Sequence, residues 1–199
     1  MIELNNIDKT EPYIKFEELF NKAKEINQPS IDAICISSYC SDKKEIDSRY
    51  VNLKYIDKNE WIFFSNYTSK KASQFKTHNQ ISVSIYWNKI ETQVRMKAII
   101  RKTNQSFSDY HYHGRDTRKN ALAHSSNQSK KIESYEHVHN KYNQYLKDKS
   151  LLKIRPEYWG GYTFIPYQFE FWTGHNRRLN YRELFEFDKG NWNRSVLEP

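Results

Sequence analysis

The sequence predicts a mainly β fold with α, in which one sheet closes into a barrel and helices pack outside it. Three observations predict it. Residues 81–87 and 93–101 alternate apolar and polar side chains, the period of a half-buried strand. Shorter strand-like runs lie on both sides of a helical stretch between 106 and 146, as when helices interrupt a single sheet. Near the start, Ile14, Phe16, Leu19, Phe20, Ala23 and Ile26 recur at three- and four-residue steps, which makes 11–26 an amphipathic helix.

The elements follow in order. Thr10 and Pro12 stand where a cap and a first-turn residue belong, so the helix starts there. Gln28-Pro29-Ser30 ends the pattern, and 31–39 and 49–56 read as strands joined by a polar turn over 41–47. Residues 61–65 make a third strand, and the two alternating segments follow. Between 106 and 146, Ile132, Tyr135, Val138, Tyr142 and Tyr145 fall near helical spacing, giving one or two short helices and then a longer one. Strands are expected at 162–165, 168–172, 179–187 and 192–197, with Asp188-Lys189-Gly190-Asn191 as the last hairpin turn.

At 199 residues the chain suits one domain, roughly 100–200 residues being usual. Its 15 Tyr, 11 Phe and 5 Trp supply the buriable area that disordered chains lack. No apolar run is long enough to cross a membrane as a helix and the first twenty residues are charged, so the expected location is the cytoplasm. Residues 1–32 carry a net charge of −3 and residues 33–199 a net of +11. A basic, aromatic body fits either a nucleic acid or small ligands with several phosphates.

Three segments could carry chemistry. Asn66-Tyr67-Thr68-Ser69-Lys70-Lys71 follows a strand and opens a short helix through Ala72 and Phe75. A helix start offers unpaired N–H groups, so this is a phosphate cradle or an ordinary cap with two solvated lysines. Arg49 and Lys54 are five apart, which in a flat strand puts them on opposite faces, serving different ligands or different ends of one. Arg178, Asn180 and Arg182 alternate beside Trp172, forming either a cationic floor for a planar or anionic ligand or a solvated strand face. Cys35 and Cys40 read as inert. The pairs His111/His113 and His137/His139 lack a Cys or carboxylate at ligand spacing, so no metal site is expected. Walker, Gly-x-Ser-x-Gly, dinucleotide and RNA-recognition signatures are missing.

The stretches SRYVNLK (48–54), IFFSNYTSKKASQF (62–75), TQVR (92–95), SSNQS (125–129), PEYWGGY (156–162), FEFWTGHNRRLNYR (169–182) and the closing Trp192, Leu197 and Pro199 together resemble the pyridoxamine 5′-phosphate oxidase family of flavoproteins, over nearly the whole chain. The resemblance implies a single split β-barrel domain over 1–199, with an N-terminal helical segment (1–30) and a C-terminal dimerisation and substrate motif at about 156–199. It implies a homodimer with FMN at the subunit interface, oxidising pyridoxine or pyridoxamine 5′-phosphate with O2, and neither a nucleic-acid nor a membrane partner. Position by position, the implied FMN contacts are Arg49, Lys54, Phe64, Ser65, Lys70, Lys71, Gln93, Gln128, Ser129, Trp172 and Arg182.

On the substrate side Lys54 and Arg115 match. His111 stands where the family has Tyr, with Tyr110 or Tyr112 able to take that role under a small shift, and Lys119 where it has Ser. Arg178-Leu179-Asn180 keeps the arginine of the family's Arg-Leu-His motif and loses the histidine. Arg178 and Asn180 are the implied catalytic pair, with Arg178 positioning the substrate. The departures leave two alternatives open: a related oxidase of another phosphorylated or planar aromatic substrate, as in the phenazine-biosynthesis branch, and a flavin-binding protein without turnover.

Overall fold

The computed structural model describes residues 2–199. In chain order the strands are β1 (Glu3–Asn5), β2 (Ala33–Cys40), β3 (Glu45–Asp57), β4 (Glu60–Asn66), β5 (Gln80–Trp87), β6 (Thr92–Lys102), β7 (Trp159–Thr173), β8 (Tyr181–Asp188) and β9 (Asn191–Leu197). The helices are α1 (Glu11–Glu25), α2 (Lys70–Thr77), α3 (Gln105–Gly114), α4 (Thr117–Ser125) and α5 (Tyr135–Lys147). Pairing runs β3-β2-β5-β6-β7-β4 and back to β3, so six strands close a ring and leave no free edge within it. Beyond the ring β7 carries β8, and β8 carries β9.

Inside, alternate residues of the strands meet. Val83, Ile85 and Trp87 of β5 and Val94, Met96 and Ala98 of β6 are buried, the faces that their alternation predicts. From outside, α1 packs Tyr13, Phe16 and Phe20 across three strands. Phe16 lies 4.5 Å from Trp61 and 5.6 Å from Trp87, and Tyr13 lies 5.1 Å from Phe169, ring centre to ring centre. Pro12 sits in the first turn as expected, but Thr10 makes no side-chain cap. Instead the Asp8 carboxylate accepts the Thr10 N–H at 2.8 Å.

Three expectations are corrected and one strand is added. The turn after β2 is shorter, because β3 already pairs with β2 at Glu45↔Cys40. The strands expected at 162–165 and 168–172 are one, β7, in which Tyr167 is the extra residue of a bulge between Lys97↔Gln168 and Ala98↔Pro166. Pro166 has no N–H for the ladder, so the sequence looked interrupted there. β8 starts at Tyr181, not Leu179, because residues 174–180 form a loop whose N–H groups bond to side chains: His175 N–H to Asn180 Oδ1 at 3.2 Å and Arg177 N–H to His175 Nδ1 at 3.3 Å. Finally, β1 pairs in parallel with β3; three residues are too few to show a period.

Candidate functional site

A cavity of about 710 Å³ opens between β3, β4, the start of α2 and the α3–α4 insert. Of the residues singled out in the sequence, Arg49, Lys54, Phe64, Ser65, Lys70, Lys71, His111, Arg115, Lys119, Gln128 and Ser129 all line it. Arg49 and Lys54 therefore share one cavity, contrary to the opposite faces expected of a flat strand. The reason is a bulge: Leu53 pairs with Phe63 and Tyr55 with Ile62, so Lys54 is an extra residue on β3 and its side chain is re-aimed.

The cavity is cationic. Six lysine and arginine side chains line it, and Asp47 is the one carboxylate among its described lining residues. Asp47 is bonded by Lys70 at 2.9 Å and by the Gln74 amide, and the Lys70 hydrogen bond holds its pKa below the usual carboxylate value. Lys54 pairs with Asp32 at 2.8 Å. Arg49 donates to Ser38 Oγ at 2.5 Å and Gln74 Oε1 at 3.0 Å, with Asp47 farther off at 3.9 Å.

Lys71 and Arg115 have no carboxylate among their hydrogen-bond partners. The Lys71 ammonium, 7% exposed, donates to Ser65 Oγ at 3.1 Å, Gln128 Oε1 at 3.3 Å and Ser69 Oγ at 3.4 Å. Burial, with Arg49 nearby, pulls its pKa down to about 8. Arg115 lies 4.2 Å over the Trp159 ring, and its Nη1 is buried with no hydrogen-bond partner among the described residues. Burial lowers its pKa to about 10, so it stays charged at neutral pH. Such groups are costly to bury without an anion.

His111 sits against the aromatic wall of the cavity. Its ring stacks on Phe64 at 3.7 Å and 9°, and Nδ1 meets the Tyr55 hydroxyl at 2.8 Å. Burial, with Arg115, Lys54 and Lys119 around it, lowers its pKa to about 4, so the imidazole is neutral at physiological pH. Tyr110 and Tyr112 do not take this place. Tyr110 is exposed, while Tyr112 is fully buried and its hydroxyl meets His124 Nε2 at 3.1 Å.

The remaining residues form a second patch. Tyr86, Gln93, Trp172 and Arg182 are successive Cα partners across β5, β6, β7 and β8, so their side chains share one sheet face. Trp172, Arg178 and Asn180 line a cavity of about 470 Å³ beside it, which has no lining residue in common with the first. Gly174 allows a close approach here, since a Cβ would lie 3.2 Å from both the Trp172 ring and Glu91 Cβ. The floor of three alternating residues is corrected: Arg178 has φ +62° in the loop, and of the three only Arg182 lies in β8. The chain thus presents two separate patches.

Relatives decide the family. A curated pyridoxine/pyridoxamine 5′-phosphate oxidase of Leptospira biflexa is 33% identical over 190 residues, covering 95% of this chain and 89% of the relative. The chain belongs to the pyridoxine/pyridoxamine 5′-phosphate oxidase family. The enzyme of that name from Colwellia psychrerythraea is 31% identical, over 96% of this chain and 88% of its own. The family's C-terminal dimerisation region matches residues 159–199, the segment of β7 to β9 that carries Trp172, Arg178, Asn180 and Arg182 of the second patch.

Solved structures agree on the family's split β-barrel. PhzG from Burkholderia lata 383, in complex with tetrahydrophenazine-1-carboxylic acid, superposes with a TM-score of 0.87 at 23% identity, covering 98% of this chain and 100% of that one. A pyridoxamine 5′-phosphate oxidase-related FMN-binding protein from Nostoc punctiforme gives 0.78 at 12% identity, over 96% and 100%.

Three site residues escaped the reading of the sequence. Trp159 carries Arg115 and stacks with Phe64 at 5.4 Å and 11°. It lies inside PEYWGGY, so the family motif could have flagged it. Asp47 stands two residues before Arg49 in β3, a spacing that puts a carboxylate beside a cation. Tyr55 follows Lys54, beside the bulge, and its hydroxyl reaches His111.

Proposed function

We propose that this chain is an FMN-dependent oxidase that converts pyridoxamine or pyridoxine 5′-phosphate to pyridoxal 5′-phosphate, with O2 as electron acceptor, working as a homodimer. The observation that carries the reading is the first cavity, where Lys71 is buried and Arg115 half-buried with its Nη1 enclosed, and the hydrogen-bond partners of both are neutral. That donor set fits phosphates, which would replace the missing counter-charges. Family membership makes the chain an FMN-dependent oxidoreductase. The match to the family's dimerisation region supports the homodimer. The free thiols Cys35 and Cys40 suit the reducing cytoplasm.

When bound, FMN supplies the two-electron redox chemistry and its own reoxidation by O2. The protein's residues bind and orient. In this proposal Arg49, Lys70, Lys71, Gln128 and Ser129 hold the FMN phosphate, with Lys54, Phe64 and Ser65 along the cofactor. Gln93, Trp172 and Arg182 of the partner chain hold the ring system, which brings the two halves together. Lys54, His111, Arg115 and Lys119 receive the substrate phosphate, His111 offering Nε2 because Nδ1 is engaged by Tyr55. Arg178 and Asn180 orient the substrate over the cofactor.

A second reading rests on the three departures, His111, Lys119 and Asn180. Lys119 adds a cation and Asn180 removes a group able to become one, which suits an anionic planar substrate such as a tricyclic carboxylate. The experiment is to load the protein with FMN and follow peroxide and pyridoxal 5′-phosphate on adding each B6 phosphate. Equal, saturable release of both products is expected. FMN-loaded protein that yields neither product overturns the first reading and leaves the second.

A further inference from the structure

Glu170 lies on β7, two residues before Trp172, so both point to the same sheet face. It is 5% exposed and fully engaged. Oε1 accepts from Arg182 Nε at 3.0 Å and Nη2 at 2.8 Å, and Oε2 accepts from Arg95 Nη1 at 2.9 Å. Arg182 also donates from Nη1 to the Glu198 carbonyl at 2.8 Å. A free arginine samples many rotamers, whereas this one is tethered by the Glu170 carboxylate and the Glu198 carbonyl together.

We propose that Glu170 is a positioning residue for the cofactor site. It fixes the Arg182 guanidinium beside Trp172, at the end of the row Tyr86, Gln93, Trp172, Arg182, and sets how much positive charge that row presents. The proposal rests on the reading that this row receives the FMN ring system. Three of the five guanidinium donors are used by the tether, so the two that remain are held in a fixed direction for a ring carbonyl or nitrogen. Arg95, Glu170 and Arg182 sum to one positive charge. Removing the carboxylate charge leaves the arginines uncompensated, which favours an electron-rich ring.

The test uses Glu170→Gln, Arg95→Leu, Arg182→Leu and the double variant Glu170→Gln/Arg182→Leu, with three readouts. In the protein without cofactor, the Arg182 Nε–H resonance is expected to be sharp and slow to exchange, and broadened in Glu170→Gln. In FMN titrations, Glu170→Gln is expected to raise Kd about tenfold and Arg95→Leu to leave it within about twofold, since the bonds to Oε1 remain. The double variant binds no worse than Arg182→Leu, because Glu170 acts through Arg182. The flavin potential shifts positive in Glu170→Gln and negative in Arg95→Leu.

A Glu170→Gln variant with wild-type Kd and potential overturns the proposal. So does a double variant whose losses multiply, the signature of a carboxylate that only braces the sheet. Failure of the underlying reading looks different: the Nε–H result stands, but wild type and Arg182→Leu bind FMN equally, and the proposed role toward the cofactor falls with it.

Discussion

Lys71 is a buried ammonium whose hydrogen-bond partners are two hydroxyls and an amide. Its pKa near 8 means that the free protein loses this charge in a mildly alkaline range. A bound phosphate favours the protonated form, so above pH 8 binding must take up a proton. The FMN affinity of the wild type should therefore be nearly flat near pH 7, be about twofold lower by pH 8, and fall by up to about tenfold per pH unit above it. Fluorescence titrations across pH 7–9.5 check this, and Lys71→Gln should bind more weakly and lose the alkaline fall. Asn180 is the other residue with a directional expectation. It accepts the His175 N–H and cannot become cationic as histidine can. Steady-state kinetics should show Asn180→His raising kcat for pyridoxamine 5′-phosphate with unchanged FMN content; a fall in kcat contradicts the role given to this position.

At the scale of elements, the strongly periodic segments were legible and the irregular ones were not. β5, β6 and α1 follow from alternation and three-four spacing alone, because burial on one face leaves that pattern in the sequence. The bulges at Lys54 and Tyr167 leave no such trace, since one extra residue changes which way a side chain points without changing composition. That is why Arg49 and Lys54 were assigned to opposite faces and why β7 read as two strands. The loop before β8 misled for another reason: Arg178 adopts a positive φ that side chains other than glycine rarely show, and nothing local announces it. The lining role of 66–71 could be read in part because a strand end, a helix start and two lysines occur together, although Ser69 opens α2 without a side-chain cap. For α1 the packing yields a stability prediction. Phe16 is fully buried between Trp61 and Trp87, so Phe16→Ala should cost about 3–5 kcal/mol in urea unfolding. A loss under about 1 kcal/mol contradicts the packing of α1 on the barrel.

Across the whole molecule, the implied site divides between two surfaces. The cationic cavity belongs to β3, β4, α2 and the helical insert, and the Trp172 row belongs to β5, β6, β7 and β8, within and next to the matched dimerisation region. The family resemblance supplied both lists of residues, and geometry alone separates them. We propose that one chain's cavity is completed by its partner's row. Hybrid dimers test this most directly. Arg49→Ala damages the cavity and Arg182→Leu the row, so each homodimer should bind FMN weakly at both sites. In a hybrid of one chain of each kind, carrying different affinity tags, one site combines both lesions and the other combines two intact halves. The account predicts that purified hybrids recover wild-type FMN affinity at about one site per dimer. Hybrids that bind no better than the parent homodimers would contradict it.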